Sequence, residues 1–125
     1  MIAGVGLDVC EISRMEKLLK RDGFVRRFFT PEEENYIHSR GKGAACTLAG
    51  LFAAREALGK ALGSGISFDL REAEVRHDEK GRPYYAFHGA LAERVKGERF
   101  HLSISHDGGI AAAMCVREKD DLTKM

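Results

Sequence analysis

The spacing of apolar residues along the chain predicts where its strands and helices lie. An uninterrupted apolar run over Ile2–Leu7 is typical of a buried strand, and the amphipathic pattern over Glu11–Arg21 indicates a helix. The segment Thr30–Glu33, Thr-Pro-Glu-Glu, has the residue order of a helix start, with a threonine cap followed by proline. We expect that helix to run to about Arg40.

The most apolar segment lies in the middle of the chain. Residues Ala44 to Leu62 are apolar on most sides of a helix, which is typical of a helix buried in the core. Two pairs of strand-like segments follow, each pair separated by turn residues, with a short helix between the pairs. The predicted strands are 70–77 with 83–88 and 100–106 with 110–117, and the short helix is 90–96. The sequence therefore predicts a single small α+β domain in which antiparallel hairpins pack on a central apolar helix.

Composition and charge restrict the classes of function. The chain has 125 residues, which suits one domain over 1–118 followed by a polar C-terminal tail over 119–125. A formal net charge of +1 argues against general nucleic-acid binding, and no apolar stretch is long enough to span a membrane. No basic segment precedes the N-terminal apolar run, so no signal peptide is predicted. Cys10, Cys46 and Cys115 form no Cys-x-x-Cys pair and suit a reducing cytosol, so we expect a cytoplasmic protein.

An acid and a base stand one turn apart in the central helix. Glu56 precedes Lys60 by four residues, so both side chains lie on one face of an otherwise small and apolar helix. The Gly63-Ser64-Gly65 sequence that follows provides backbone that can approach a ligand closely. This combination suggests phosphate chemistry together with a metal ion. The alternative is an ordinary surface pair followed by a glycine helix cap, which the pattern alone leaves open.

A second acid follows the N-terminal apolar run. Asp8 is predicted to lie at a strand-to-helix junction, which is a usual location for side chains that face a ligand. Its alternative role is a variant of the capping box formed with Glu11, which involves no chemistry. Asp8 alone does not decide between the two roles.

Taken together, these segments resemble a known family. The matching residues, in order, are Gly4-x-Gly-x-Asp8, Arg14, Phe52-Ala-Ala-Arg-Glu56-Ala-x-x-Lys60, Gly63-x-Gly65-Ile66, Lys80-Gly-Arg-Pro-Tyr84 and Leu102-Ser-Ile-Ser-His106. Over roughly Met1 to Val116 the chain is similar to the holo-(acyl-carrier-protein) synthase family, the small bacterial 4′-phosphopantetheinyl transferases. The resemblance implies the fold of that family. It also implies an enzyme that transfers the 4′-phosphopantetheine arm of coenzyme A to a serine of apo acyl carrier protein and releases adenosine 3′,5′-bisphosphate.

The resemblance implies catalytic roles for the two acids and the lysine. Asp8 and Glu56 are expected to hold Mg²⁺, a cation that prefers oxygen ligands. Lys60 is expected to contact the diphosphate of coenzyme A and to offset negative charge on the leaving group. The base that accepts the serine proton is either Glu56 or a metal-bound water near Asp8, and the sequence leaves both open.

The resemblance also implies a set of residues that contact coenzyme A. They are the loop residues Gly63, Ser64, Gly65 and Ile66, the hairpin residues Lys80, Arg82 and Pro83, and the strand residue His106. Ordinary structural roles stay open for the last two groups. The hairpin residues also suit a simple β-turn with a solvated charge, and His106 also suits the edge of a strand.

Partner contacts are expected on two surfaces. Arg14 and Arg21 lie on a basic face of the first predicted helix, where they could dock an acidic carrier protein. The family forms homotrimers with active sites between subunits. The apolar final strand, Ile110–Val116, is expected to supply that interface.

Three positions depart from the family pattern. Arg55 replaces the usual lysine, Leu51 stands where a basic residue is common, and Asp107 adds a negative charge beside His106. Each departure could alter contacts with coenzyme A. Two competing functions are a Mg²⁺-dependent phosphohydrolase, which would act without a carrier, and a binding module without turnover. The sequence does not distinguish a fatty-acid from a polyketide carrier.

Overall fold

Strands and helices are mixed along the chain in a computed structural model, which describes residues 1–120. Within this range the strands are β1 Ile2–Glu11, β2 Ala73–His77, β3 Pro83–Phe87, β4 Arg99–Asp107 and β5 Ile110–Glu118. The α-helices are α1 Ile12–Leu19, α2 Phe24–Phe28, α3 Pro31–Ser39, α4 Ala44–Leu62 and α5 Gly89–Arg94. The predicted α+β class is confirmed.

The strands form two antiparallel sheets. The first has the order β1-β5-β4, so β1 joins the predicted second hairpin as a third strand and pairs with β5. In this register Asp8 lies opposite Ala113, which in turn lies opposite Ile104. The second sheet is the predicted first hairpin, β2-β3, in which Val75 lies opposite Tyr85.

Helix α4 forms the centre of the structure, as its apolar sequence predicted. Its buried side chains include Leu48, Ala53, Ala57 and Leu58, all with no exposed surface. Many of the buried positions are alanine or glycine, which lets β1 and β5 lie close to the helix backbone. The hydroxyl of Tyr85 also donates to the Ala54 carbonyl at 2.6 Å and so attaches the second sheet to the same helix.

The start of α3 was predicted correctly and has a second function in packing. Thr30 caps the helix, and the side chains and backbones of Thr30 and Glu33 form a reciprocal capping box. Glu33 is only 2% exposed. Its carboxylate can be buried because it also binds the guanidinium of Arg55 and the backbone N–H of Val75. The cap therefore fastens α3 to both α4 and β2.

The N-terminal boundaries differ from the prediction. Strand β1 continues to Glu11, so Asp8 lies inside the strand and the predicted strand-to-helix junction at Asp8 is wrong. Pairing with β5 extends the strand, and a single sequence does not reveal that pairing. Glu11 makes no side-chain cap, so the alternative capping box with Asp8 does not form. The short helix α2 was not predicted.

One face of the first sheet is apolar and exposed in the single chain. Alternation along β5 places Ala111, Ala113 and Cys115 against α4. Only the alternate residues of this strand, which was expected to form the subunit interface, therefore lie on the opposite face of the sheet. The opposite face is referred to below as the outer sheet face. Its exposed members are Val5 at 55%, Leu7 at 59%, Val9 at 58% and Met114 at 44%.

The described residues end within the predicted polar tail. The backbone N–H of Lys119 donates to the Met1 carbonyl at 2.9 Å, and positions 121–125 of the tail lie outside the described residues. Among residues 1–120, no helix is both long and apolar enough to cross a membrane.

Candidate active site

Strand β1 brings an acid against the central helix because its alternate residues are glycine. Gly4, Gly6 and Asp8 share the face that points to α4. A Cβ at Gly4 would overlap the carbonyl oxygen of Ala61, and a Cβ at Gly6 would overlap that of Ala57. The two glycines therefore let the strand backbone rest on the helix backbone, and Asp8 is the first side chain on this face.

Asp8 and Lys60, which the sequence placed on separate elements, meet in the structure. Lys60 Nζ donates to the Leu7 carbonyl at 2.8 Å and lies 3.4 Å from Asp8 Oδ1. The Asp8 side chain is 18% exposed and that of Lys60 is 54% exposed, so solvent and ligands can reach this pair. Within residues 1–120, the ion-pair partner of Lys60 is Asp8 and not Glu56. The ordinary ion pair between Glu56 and Lys60 along the helix therefore does not form.

Glu56 supplies a second carboxylate from α4. It lies one helical turn before Lys60, and helical side chains lean toward the helix N-terminus, so Lys60 leans toward Glu56. The Glu56 side chain is half-buried, in a helix whose other faces are closed by apolar packing. No group of three or more His, Cys, Asp or Glu side chains suited to a metal occurs among residues 1–120. A metal held here would take two carboxylates from the protein and its other oxygen ligands from water or substrate.

The glycine-rich loop after α4 is fixed by backbone hydrogen bonds. Gly63 ends the helix with a φ of 79°, in the left-handed region that favours glycine. The N–H groups of Ser64 and Gly65 both donate to the Gly59 carbonyl, at 3.2 and 3.1 Å. A Cβ at Gly59 would lie only 2.6 Å from the backbone of Gly65, so the loop folds directly onto the helix. Ile66, the last predicted loop contact, is 39% exposed.

The remaining predicted coenzyme A contacts lie on the two hairpins. Arg82 belongs to a turn in which its N–H and its guanidinium both bind the Asp78 carboxylate, each at 2.9 Å. The hydrogen bond from the Arg82 backbone lowers the pKa of Asp78. Pro83 begins β3. His106 is exposed near the end of β4, opposite Ala111, and its register places it on the α4 side of the sheet.

The two predicted carrier contacts border an apolar groove. Arg14 is exposed on α1, with its guanidinium 5.7 Å from the centre of the Phe52 ring. A groove of about 390 Å³ lies beside it, lined by Arg14, Met15, Leu18, Phe24, Phe28, Phe52 and Leu70. Arg21 is exposed just after α1 and lines the neighbouring surface with Gly23 and Phe28. The groove was not predicted, because its phenylalanines come from the unpredicted helix α2 and from α4.

Two of the three departures from the family pattern belong to the core. Arg55 is completely buried and donates to Glu33 at 2.5 Å and to the Leu70 carbonyl at 2.9 Å. Its guanidinium also lies 4.4 Å from the centre of the Phe29 ring. Leu51 is 1% exposed, whereas Asp107 is exposed at the end of β4. The buried Glu33–Arg55 pair was missed, although one arginine inside an apolar helix is a signal for it.

The cysteines have the properties of packing residues. All three are free thiols; Cys10 and Cys115 are buried and Cys46 is half-buried. Burial raises the pKa of all three, and that of Cys115 to about 11. Since the thiolate is the nucleophilic form, a catalytic thiol is not supported.

Comparisons with known proteins identify relatives of this chain. Residues 4–115 match the model of the 4′-phosphopantetheinyl transferase superfamily. The holo-[acyl-carrier-protein] synthase of Treponema denticola is 42% identical over 122 residues, which cover 94% of this chain and 99% of the relative. The crystal structure of the Bacillus anthracis holo-(acyl-carrier-protein) synthase, in complex with CoA (3′,5′-ADP), is 36% identical. The match between the two structures has a TM-score of 0.82 and covers 96% of this chain and 99% of that one. The Neisseria meningitidis enzyme, 34% identical, gives a TM-score of 0.85 and covers 95% and 100%.

Proposed function

The chain belongs to the 4′-phosphopantetheinyl transferase superfamily, and on that premise we propose that Asp8, Glu56 and Lys60 form its catalytic centre. The enzyme is a holo-[acyl-carrier-protein] synthase: it transfers the phosphopantetheine arm of coenzyme A to a serine of apo acyl carrier protein. The observation that carries the assignment of the centre is the convergence of β1 and α4. Their backbones touch at Gly4 and Gly6, and the first polar side chains beyond that contact meet as Asp8 and Lys60.

The reaction asks mainly for positioning and for neutralisation of charge. The serine oxygen of the carrier forms a bond to the phosphorus that bears pantetheine. The bond from that phosphorus to the leaving adenosine 3′,5′-bisphosphate breaks, and the serine proton passes to the Glu56 carboxylate or to a water held near Asp8. The Lys60 ammonium would offset the negative charge that the leaving phosphate gains. Its hydrogen bond to the Leu7 carbonyl holds the ammonium in place before the substrate arrives.

The donor set of Asp8 and Glu56 fits Mg²⁺. Both are carboxylates, they come from two packed elements, and both are partly open to solvent. Magnesium, when bound, neutralises negative charge on the substrate diphosphate. Asp8 and Glu56 would hold the cation, and the Lys60 ammonium would be available to the substrate phosphates.

Coenzyme A is proposed to extend from this centre along the loop that follows α4. Gly63, Ser64, Gly65 and Ile66 offer backbone and a hydroxyl at the helix end. His106 lies on the same sheet face as Asp8 but two strands away, about 10 Å across the sheet. An extended nucleotide could reach both. Arg82 would contribute only after giving up part of its binding to Asp78.

The carrier protein is proposed to bind at Arg14 and Arg21. The two arginines are exposed beside the apolar groove, so an acidic helix could place its charges on them and an apolar side chain in the groove. This surface joins the catalytic centre through β1 and α1, since Arg14 Nη2 lies 3.8 Å from the sulfur of Cys10, two residues beyond Asp8.

A homotrimer is proposed with the outer sheet face as its interface. Val5, Leu7 and Val9 are more than half exposed, and they continue into Met114 on the neighbouring strand. A contiguous apolar sheet face is costly to leave in water and is typical of a protein interface. The same strand carries Asp8 on its other face, so subunit contacts through β1 would lie close to the catalytic centre. The free thiols further support a cytoplasmic location.

The function is tested by incubating the chain with coenzyme A, Mg²⁺ and an apo acyl carrier protein, followed by intact mass spectrometry of the carrier. The expected result is a gain of one phosphopantetheine with release of one adenosine 3′,5′-bisphosphate. Hydrolysis of phosphate esters in the absence of carrier would indicate a phosphohydrolase instead. Binding of coenzyme A without a mass gain on any carrier would indicate a binding module.

A further inference from the structure

An arginine from a neighbouring helix binds both ends of the glycine-rich loop. Arg94, the last residue of α5, donates from Nη1 to Ser67 Oγ at 2.8 Å and from Nη2 to Ser64 Oγ at 2.9 Å. The two serine hydroxyls are themselves 2.8 Å apart. One guanidinium therefore closes a segment of four residues, 64–67, that begins inside the predicted coenzyme A site.

The helix that carries Arg94 is firmly placed despite its six residues. The Glu72 carboxylate accepts hydrogen bonds from the backbone N–H groups of Ala90 at 3.3 Å and Leu91 at 3.1 Å. Leu91 and Val95 are buried in the core, with 1% and 4% exposed. Because α5 is fixed at its start and along its inner face, the arginine at its end is presented in a defined position.

The loop is held from the opposite side by α4. The Gly59 carbonyl accepts the N–H groups of Ser64 and Gly65, and Gly59 itself leaves no space between helix and loop. Arg94 binds the side chains of the same segment, so the loop is attached through its backbone to α4 and through its hydroxyls to α5. Without Arg94, the two hydroxyls of this exposed loop would keep only each other and the Gly65 carbonyl as protein partners within residues 1–120.

We propose that Arg94 is a positioning residue for coenzyme A. Its guanidinium fixes the loop over residues 63–67 in the conformation that receives the substrate, and it acts through the hydroxyls of Ser64 and Ser67. The inference rests on the proposed function of that loop. Arg94 lies outside the motifs that resemble the family, so it is an additional residue on which binding of coenzyme A depends. The loop lies at the C-terminus of α4, where the helix dipole disfavours anions, so a phosphate bound there depends on donor groups held in place by other contacts.

Steady-state kinetics of Arg94→Ala test the proposal. Loss of two charge-assisted hydrogen bonds should raise the KM for coenzyme A by about 10-fold, with kcat and the KM for carrier protein nearly unchanged. Arg94→Lys should recover only part of the loss in affinity. The lysine keeps the positive charge, but its ammonium lacks the fork that reaches both hydroxyls. Lys96→Ala removes a neighbouring exposed cation and serves as the matched control, with no expected effect.

A double-mutant cycle decides whether Arg94 acts through the loop. Ser67→Ala alone should raise the KM for coenzyme A, and the double variant with Arg94→Ala should be no worse than Arg94→Ala, because both changes break one unit. Additive effects, or a Ser67→Ala variant with unchanged KM, would overturn the proposal in favour of direct contact between Arg94 and the substrate.

Amide hydrogen exchange of the chain without coenzyme A gives a readout that does not depend on activity. In Arg94→Ala the amides of Ser64 and Gly65 should exchange about 10-fold faster than in the native chain, while those in the centre of α4 should not change. Unchanged exchange in the loop would overturn the proposal. A native chain that fails to modify any carrier would refute the proposed function, and the exchange result would still decide whether Arg94 orders the loop.

Discussion

The ammonium of Lys60 lies 3.4 Å from the Asp8 carboxylate, although 52 residues separate the two in the chain. The contact joins the central helix to the first strand at the point where the glycines of that strand end. It leaves the Glu56 carboxylate, one turn earlier on the helix, without a hydrogen bond to Lys60 within residues 1–120. The two acids and the lysine are thus presented by two elements whose backbones are in contact.

Replacing Lys60 by methionine should remove the positive charge and leave the packing of α4 nearly unchanged. We expect kcat to fall by about 10²–10³-fold, the usual effect of losing a preorganised electrostatic partner of the transition state. The rate of carrier modification measures this. Lys42→Met, which removes an exposed lysine near the other end of α4, is the control and should keep full activity. Equal rates for both variants would exclude Lys60 from the catalytic centre.

Gly6→Ala should destabilise the fold. The added Cβ would overlap the Ala57 carbonyl oxygen, and the helix backbone there cannot move without disturbing the core. Overpacking of this kind costs about 1–3 kcal/mol in free energy of unfolding. Gly43→Ala is the matched control, because its Cβ would meet only the Arg40 side chain at 3.9 Å and its φ is −86°. Chemical denaturation of both variants checks the prediction, which fails if they are equally stable.

Stability should fall in acid partly because of Glu74. Burial of its carboxylate disfavours the charged form, but hydrogen bonds from Thr30 and His88 and the charge of Arg76 outweigh burial and lower its pKa. The unfolded chain, with a glutamate pKa of about 4.3, then binds more protons than the folded one. The stabilisation is present above that value and is lost as the pH falls through the lower folded pKa. Free energies of unfolding measured from pH 6 to pH 3 should decline less steeply for Glu74→Gln than for the native chain. Parallel curves would show that Glu74 does not contribute.

The proposed trimer depends on the outer sheet face. Val9→Asp should place a charge in the centre of that face and produce monomers, since an unpaired buried charge is costly at an interface. Light scattering measures the mass directly. Tyr84→Asp replaces another exposed large side chain, 44% exposed on β3, and should leave the assembly intact. A native chain that is monomeric and fully active would contradict the trimer.

Local sequence signals predicted most of the secondary structure. The Thr30 capping box, the apolar helix over 44–62 and both hairpins could be predicted because each depends on neighbouring residues. The length of β1 could not, since its pairing with β5 involves residues about 100 or more positions apart. The predicted position of Asp8 at a strand-to-helix junction was wrong for the same reason. Its candidate role in the site was inferred from the order of the motifs.

The sequence offered candidate site residues, but it did not predict how the structure arranges them. Glu56 and Lys60 were expected on one helix face, yet the partner of Lys60 is Asp8. Arg55 was considered in relation to coenzyme A, whereas it is a buried partner of Glu33. Arg94 has no local signal at all, because its contacts arise only when α5 packs beside the loop. Tertiary packing decides such contacts, and periodicity in one sequence does not encode it.

We propose that transfer of phosphopantetheine depends on the joint action of the carboxylates of β1 and α4. The most direct test is the mass spectrum of an apo acyl carrier protein after incubation with coenzyme A, Mg²⁺ and the native, Asp8→Asn or Glu56→Gln chain. We predict one added phosphopantetheine with the native chain, none when EDTA removes the metal, and at least about 10²-fold slower addition with either folded variant. Native rates in both variants would show that Asp8 and Glu56 do not act in the transfer.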